Sequence, residues 1–281
     1  IRLSLVGSEM CIRDRVYNAT TTASASDITL TNQVSGESLQ LSNAAATSNA
    51  NVGSYSISNL SGITISDEAG ANASSGALAD NYTLTGGTHT FAINRKSVNI
   101  AGTRQYDGTT NIAAADISTI TDTVNSEVLS MSGGLGTTSS ANVAAYNLVN
   151  TSQGTLTLAN GPSGANQGLA ANYTLTGGTQ DYTITQRVLN SSGSKTYDAN
   201  TDALAGAITL SNLVSGEALN HSGTATIGSA NAGSYTITNL SGISIADGSG
   251  GTASNYTLTG GTHNFTVNRR AVSVSGTRLY D

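Results

Sequence analysis

Eleven tyrosines and two phenylalanines occupy only four positions of a repeat about 90 residues long. Tyr17, Tyr106, Tyr197 and Tyr280 open the repeats, and Tyr55, Tyr146 and Tyr235 sit in the middle. Tyr82, Tyr173 and Tyr256 each follow an asparagine, and Phe91, Tyr182 and Phe265 close the unit. Aromatic rings carry the largest apolar area and usually anchor cores. Here all of them are committed to repeated architecture. None remains for a site unique to one repeat, which argues against an active site.

Between the rings the chain alternates. Leu30, Val34 and Leu39 recur as Ile120, Val124 and Leu129, and again as Leu210, Val214 and Leu219. A turn between them holds Glu37, Glu127 and Glu217, preceded by Gly36 and Gly216 in the first and third copies. The middle block Ala50-Asn51-Val52-Gly53-Ser54-Tyr55 returns at Ala141 to Tyr146 and Ala230 to Tyr235. Tyr55, Ile57, Ile63 and Ile65 alternate with polar residues, the mark of a strand with one buried face. The most uniform block, NYTLTGG, is identical at Asn81 to Gly87, Asn172 to Gly178 and Asn255 to Gly261. It reads as a short strand ending in a Gly-Gly hairpin turn, followed by a last strand through Phe91, Tyr182 or Phe265.

About seven short strands per unit, with turn signals between them and no helical periodicity, predict an all-β fold. The expected architecture is a set of tandem immunoglobulin-like β-sandwich repeats of about 90 residues, elongated overall. The expected division is repeat 1 over 16–94, repeat 2 over 95–185, repeat 3 over 186–268 and the start of a fourth over 269–281. No flexible linker separates them, so a semi-rigid rod is expected, with small interfaces near Asn94 to Lys96, Gln186 to Arg187 and Asn268 to Arg270.

Composition narrows the function. Charged residues make up 10% of the chain, against roughly 25% in ordinary soluble domains. The net charge is −6 and the basic residues are scattered, which disfavours nucleic-acid binding. No apolar run approaches the length of a membrane span. Residues 1–15, IRLSLVGSEMCIRDR, match no repeat and resemble a translated sequencing-library adaptor of the kind found at the ends of metagenomic reading frames. Glu9, Arg13, Asp14 and Arg15 break any signal-peptide pattern. The single cysteine, Cys11, lies in that stretch, so disulfide, zinc and thiol chemistry are not expected in the repeats.

The remaining polar candidates read as structural. His89 and His263 are equivalent, but Gln180 stands between them and His221 is alone, a poor metal set better taken as exposed strand residues. Asp107, Asp198 and Asp281 follow the opening tyrosine. Calcium needs six to eight oxygens, and Asp67-Glu68 and Asp247 face Ala159-Asn160 in repeat 2, so Asx turns are the better account. Arg104, Lys195 and Arg278 precede that tyrosine by two residues, where a cation–π or rim contact with the ring is expected. No nucleophile elbow or phosphate loop is present. The expectation is no enzyme, with no catalytic, cofactor or metal residues.

The opening Tyr106-Asp107-Gly108-Thr109-Thr110, the Asn51-Val52-Gly53-Ser54-Tyr55 block and the closing Asn-Tyr-Thr-Leu together resemble the YDG domain over residues 16–281. Repeat 1 departs with Tyr17-Asn18, and repeat 3 with Ala199 in place of the glycine. That resemblance implies large exported bacterial proteins of the filamentous haemagglutinin and adhesin class, displayed at the cell surface or secreted. The implied function is a stalk or spacer whose partners are neighbouring repeats, with host glycan or matrix ligands met by domains elsewhere in the polypeptide. The alternative is a carbohydrate- or host-matrix-binding adhesive module, which would need an exposed aromatic platform at Tyr182 or the NYT tyrosines.

Overall fold

The computed structural model describes residues 14–35, 37–57, 59–67, 79–148 and 153–279. Cys11, Glu68, Tyr280 and Asp281 lie outside them. Among the described residues the fold is all-β, with helical structure limited to single 3-10 turns. The chain divides into two compact units, 1–101 with 113–136 and 147–181, and 102–112 with 137–146 and 182–281. The division runs through the second repeat.

In the second unit the third repeat is complete. Nine strands lie between Arg187 and Asn268, two of them only two residues long. One sheet runs in the order Asp202–Leu204, Leu219–Ile227, Gly233–Asn239, His263–Asn268, Asn190–Thr196, Ile208–Ser211. Its first and last members are joined by the 3-10 turn Ala205–Ala207, so the sheet curls into a near-barrel. The strand Leu219–Ile227 turns the corner. Its first half pairs with Ile243–Asp247 and its second half with Asp202–Leu204. The bend falls at Gly223 (φ +100°), where a Cβ would lie 1.9 Å from the Gly242 carbonyl oxygen. In repeat 1 the equivalent strand Leu39–Ala46 bends at Asn43 (φ 68°), asparagine being a side chain that tolerates the left-handed region.

Alternation dictates the core. Along His263–Asn268 the buried residues are His263, Phe265 and Val267. Phe265 and Val267 close on Ala203, Ala225, Ile227, Ile237 and Ile243. Phe91, Tyr182 and Phe265 are each 1% exposed, as the sequence led one to expect of the closing ring. The mid-repeat tyrosines are only half-buried. Each folds back so that its hydroxyl donates to a backbone carbonyl four residues earlier, Asn51, Asn142 or Asn231. At Gly53 and Gly233 that ring lies over the glycine, about where a side chain would be.

Two expectations are corrected here. First, the Gly-Gly pairs are not hairpin turns. The strands on either side of Gly260-Gly261 do not pair with each other. Tyr256–Thr257 pairs in parallel with Arg187–Val188, and His263–Asn268 pairs in parallel with Asn190–Thr196. The glycines let the chain step outward by a few residues between two parallel segments. Second, the first repeat reaches into the stretch read as a leader. Asp14–Val16 forms a strand parallel to Thr90–Asn94, and Arg15 stands where Arg104 and Lys195 stand in the later repeats.

Candidate functional site

The most elaborate constellation lies where one repeat meets the next. In the second unit the opening Tyr106 is 5% exposed although it sits at the start of a loop. Its backbone N–H donates to the Thr185 carbonyl, which continues the parallel pairing and aims the ring forward. The ring packs edge-on against Tyr256, with centroids 5.5 Å apart and planes at 78°. The Tyr106 hydroxyl donates to Glu217 Oε1 at 2.6 Å, and the Tyr256 hydroxyl donates to Glu217 Oε2 at 2.7 Å. Val214 N–H donates to the Tyr256 hydroxyl at 3.0 Å. Beside them Asn255, 1% exposed, accepts from Val143 N–H through Oδ1, and its Nδ2 donates to Asn142 Oδ1.

The first unit holds the same device. Tyr17 packs edge-on against Tyr173 at 5.4 Å, and both hydroxyls donate to Glu127 at 2.8 Å. Asn172 takes Val52 N–H and donates to Asn51. A residue pair 110 apart in sequence, and a second pair 120 apart, therefore bind one repeat to the next. The repeats do not keep their aromatic anchors to themselves, and the junction is not confined to the connecting residues. A hydroxyl-to-carboxylate hydrogen bond contributes about 1.5–3 kcal/mol, and an edge-to-face ring pair about 0.5–1.5 kcal/mol beyond its area.

Two further groups position the device. The first is the opening loop. Asp107 and Asp198 each accept the backbone N–H two residues on, as the Asx-turn reading has it, and Asn18 does the same in the first repeat. The residue between sits in the left-handed region, at Ala19 (φ 61°), Gly108 (φ 78°) and Ala199 (φ 67°). The bases before the tyrosine clamp this loop and do not stack on its ring. Arg104 bonds the Asp107 carboxylate and the Thr109 and Asn111 carbonyls. Lys195 reaches Asp198 and the Asn200 and Asp202 carbonyls. Arg15 donates to the Thr20 and Thr22 carbonyls, and its guanidinium does lie over a ring, that of Phe91 at 5.6 Å. Arg278 is exposed and outside any strand.

The second group presents the NYT block. Asp67, Asn160 and Asp247 each accept the N–H of the residue two before the NYT asparagine, Ala79, Ala170 or Ala253. An asparagine therefore does in repeat 2 what an aspartate does in the others. The histidines are not exposed strand residues. His263 is 6% exposed and Gln180 is fully buried. His89, Gln180 and His263 each bond the carbonyl of Leu84, Leu175 or Leu258 at the step into the Gly-Gly turn. With Nε2 donating there, His263 Nδ1 accepts from the Ser191 hydroxyl. His221 bonds the Ala205 and Ile208 carbonyls of the 3-10 turn. Among the described residues no three His, Cys, Asp or Glu side chains cluster as metal ligands.

Comparison with known proteins rests on these same segments. A family model described as the YDG domain matches residues 8–90 and 179–263, more than half of the chain. The chain belongs to the YDG-domain family. Both matched YDG segments contain an opening tyrosine, Tyr17 or Tyr197, and a Glu37 or Glu217. No curated protein matches the chain. Among solved structures, a crystal structure of Drosophila N-cadherin EC1-3 aligns at 10% identity and a TM-score of 0.18. It spans 94% of this chain and 99% of that one, and at that score the likeness carries no argument.

The paired tyrosines give these YDG junctions a pH signature. Burial, and then the hydrogen bond to the carboxylate, pushes Tyr17 and Tyr106 up from 10.0 to about 12. The same causes raise Tyr173 and Tyr256. A tyrosine whose folded value lies above its unfolded value adds stability below pH 10 and loses it as the pH climbs toward 12. Alkaline titration followed by phenolate absorbance should show Tyr17, Tyr106, Tyr173 and Tyr256 titrating late, with their ionisation coinciding with unfolding. Early, reversible ionisation of all of them would contradict the geometry.

Proposed function

We propose that the chain is a structural stalk or spacer: YDG repeats of a secreted or surface-displayed bacterial adhesin. The observation that carries this reading is the recurrence of one junction. The same arrangement of tyrosine, glutamate, asparagine and valine binds repeat 1 to repeat 2 and repeat 2 to repeat 3. A polypeptide built to hold successive units in a fixed register needs such a device. Membership of the YDG family fits a domain of a surface or adhesin-like protein. The closing ring Tyr182 and the NYT rings Tyr173 and Tyr256 are buried and offer no platform on which a sugar could stack, while the third NYT ring, Tyr82, is half-buried. The role is mechanical, without catalysis.

The test places the chain between an export anchor and a distal epitope on a bacterial surface. The epitope is expected to stand farther from the envelope with the chain than without it. The chain alone is expected to bind nothing on arrays of host glycans and matrix proteins. An unchanged epitope height would remove the spacer reading, and saturable binding on the array would favour an adhesive module.

A further inference from the structure

The first repeat carries the receiving half of the junction in an uncovered state, and the third repeat carries the inserting half. Tyr82 and Glu37 are already joined by a hydrogen bond, and Val34 N–H donates to the Tyr82 hydroxyl at 3.1 Å. This is the arrangement of Tyr173 with Glu127 and Val124, and of Tyr256 with Glu217 and Val214. Glu37 Oε1 is the counterpart of the two oxygens that receive Tyr17 and Tyr106. Around it, however, Val34 is 62% exposed, and Asn81 is exposed where Asn172 and Asn255 are 1% exposed.

On the inserting side Tyr197 is 37% exposed, against 5% for Tyr17 and Tyr106. Its loop has the inserting conformation all the same. Tyr197 N–H bonds the Asn268 carbonyl as Tyr106 N–H bonds Thr185, Asp198 forms its Asx turn, and Lys195 clamps it. Ala199 in place of glycine is no obstacle, since Ala19 holds that position in the first junction.

We infer that the Glu37–Tyr82 face is a docking site for the opening segment of another repeat of this kind, and that Tyr197 of a second copy of this chain can fill it. Two filled examples of the same interface within the chain identify the occupant, and the inference does not depend on the stalk reading. Such a contact joins two different surfaces, so copies would add head to tail, as an open filament or, where the rotation closes, a ring. It would be weaker between free copies than along one polypeptide, where linkage raises the effective concentration.

Complementation tests it. The wild-type chain is expected to show concentration-dependent association by sedimentation up to millimolar protein. Tyr197→Ala lacks the inserting ring, Glu37→Gln lacks the receiving carboxylate, and each alone is expected to remain monomeric. Mixed in equal amounts, one supplies the intact site and the other the intact tyrosine, so they are expected to form one-to-one dimers and nothing larger. Both residues lie at the surface of their repeats, and unchanged circular dichroism would confirm that the variants fold. A wild-type chain that stays monomeric at millimolar concentration would overturn the inference. So would association that survives Tyr197→Ala, because it would then arise elsewhere, for example through the exposed Val272 and Val274.

Discussion

Replacing Tyr256 with alanine is expected to cost about 3–5 kcal/mol, the usual range for a buried aromatic. The ring is 1% exposed and meets three demands at once. It fills the space beside Tyr106, its hydroxyl holds Glu217 in place to receive Tyr106, and that same oxygen accepts the Val214 N–H. Domains are stable by only about 5–15 kcal/mol, so the second unit should melt at much lower urea concentration. Tyr106→Phe, which keeps the ring and removes one hydroxyl-to-carboxylate bond, is expected to cost about 1.5–3 kcal/mol. Pairing it with Glu217→Gln in a double-mutant cycle should give a non-zero coupling energy. If Tyr256→Ala and Tyr106→Phe cost the same small amount, the ring pair is not what binds the repeats.

Gly261→Ala should be the more damaging of two neighbouring glycine substitutions, although Gly260 is the one with the unusual backbone. Gly260 has φ +88° with no atom within 4 Å of the would-be Cβ, so alanine there carries only the left-handed strain of about 1–2 kcal/mol. At Gly261 a Cβ would lie 1.9 Å from the Leu189 carbonyl oxygen and 3.0 Å from the His263 ring. The methyl can be accommodated only by separating the two parallel segments. That places the cost at about 3 kcal/mol, the upper end of overpacking. The same asymmetry is present at Gly178, where a Cβ would lie 2.0 Å from the Val98 carbonyl oxygen. Thermal melts of the two single variants would decide it, and a Gly260 variant weaker than the Gly261 variant would mean that the close approach is not rigid.

The sequence carried the all-β class and the closing rings well, because period-two burial is a local property. Phe265 and Val267 could be placed inward from their spacing alone. The partners of those strands were not legible. Parallel pairing of His263–Asn268 with Asn190–Thr196 joins residues 72 apart in the chain, and nothing local distinguishes it from a hairpin. The junction left a trace that was open to reading. A short strand needs an apolar face, yet NYTLTGG is invariant in all seven residues, including an asparagine that a surface turn would not require. The Glu of the turn likewise recurred where any polar residue would have served. Histidine and glutamine alternating at one position looked like an exposed site, whereas the shared requirement is a single donor for a buried leucine carbonyl.

Because the opening tyrosines Tyr17 and Tyr106 are completed by Glu127 and Glu217 of the repeat that follows, the period of duplication and the unit of folding are out of phase. Removing or inserting one whole period by recombination would bring a Tyr17-type loop to a Glu217-type receiver, and the new junction would be built from the same residues as the old. A loss of any other length would leave a tyrosine without its carboxylate. Polypeptides of this kind can thus change length in whole periods without adjusting any contact, while frame-preserving deletions of arbitrary size are penalised at the nearest junction.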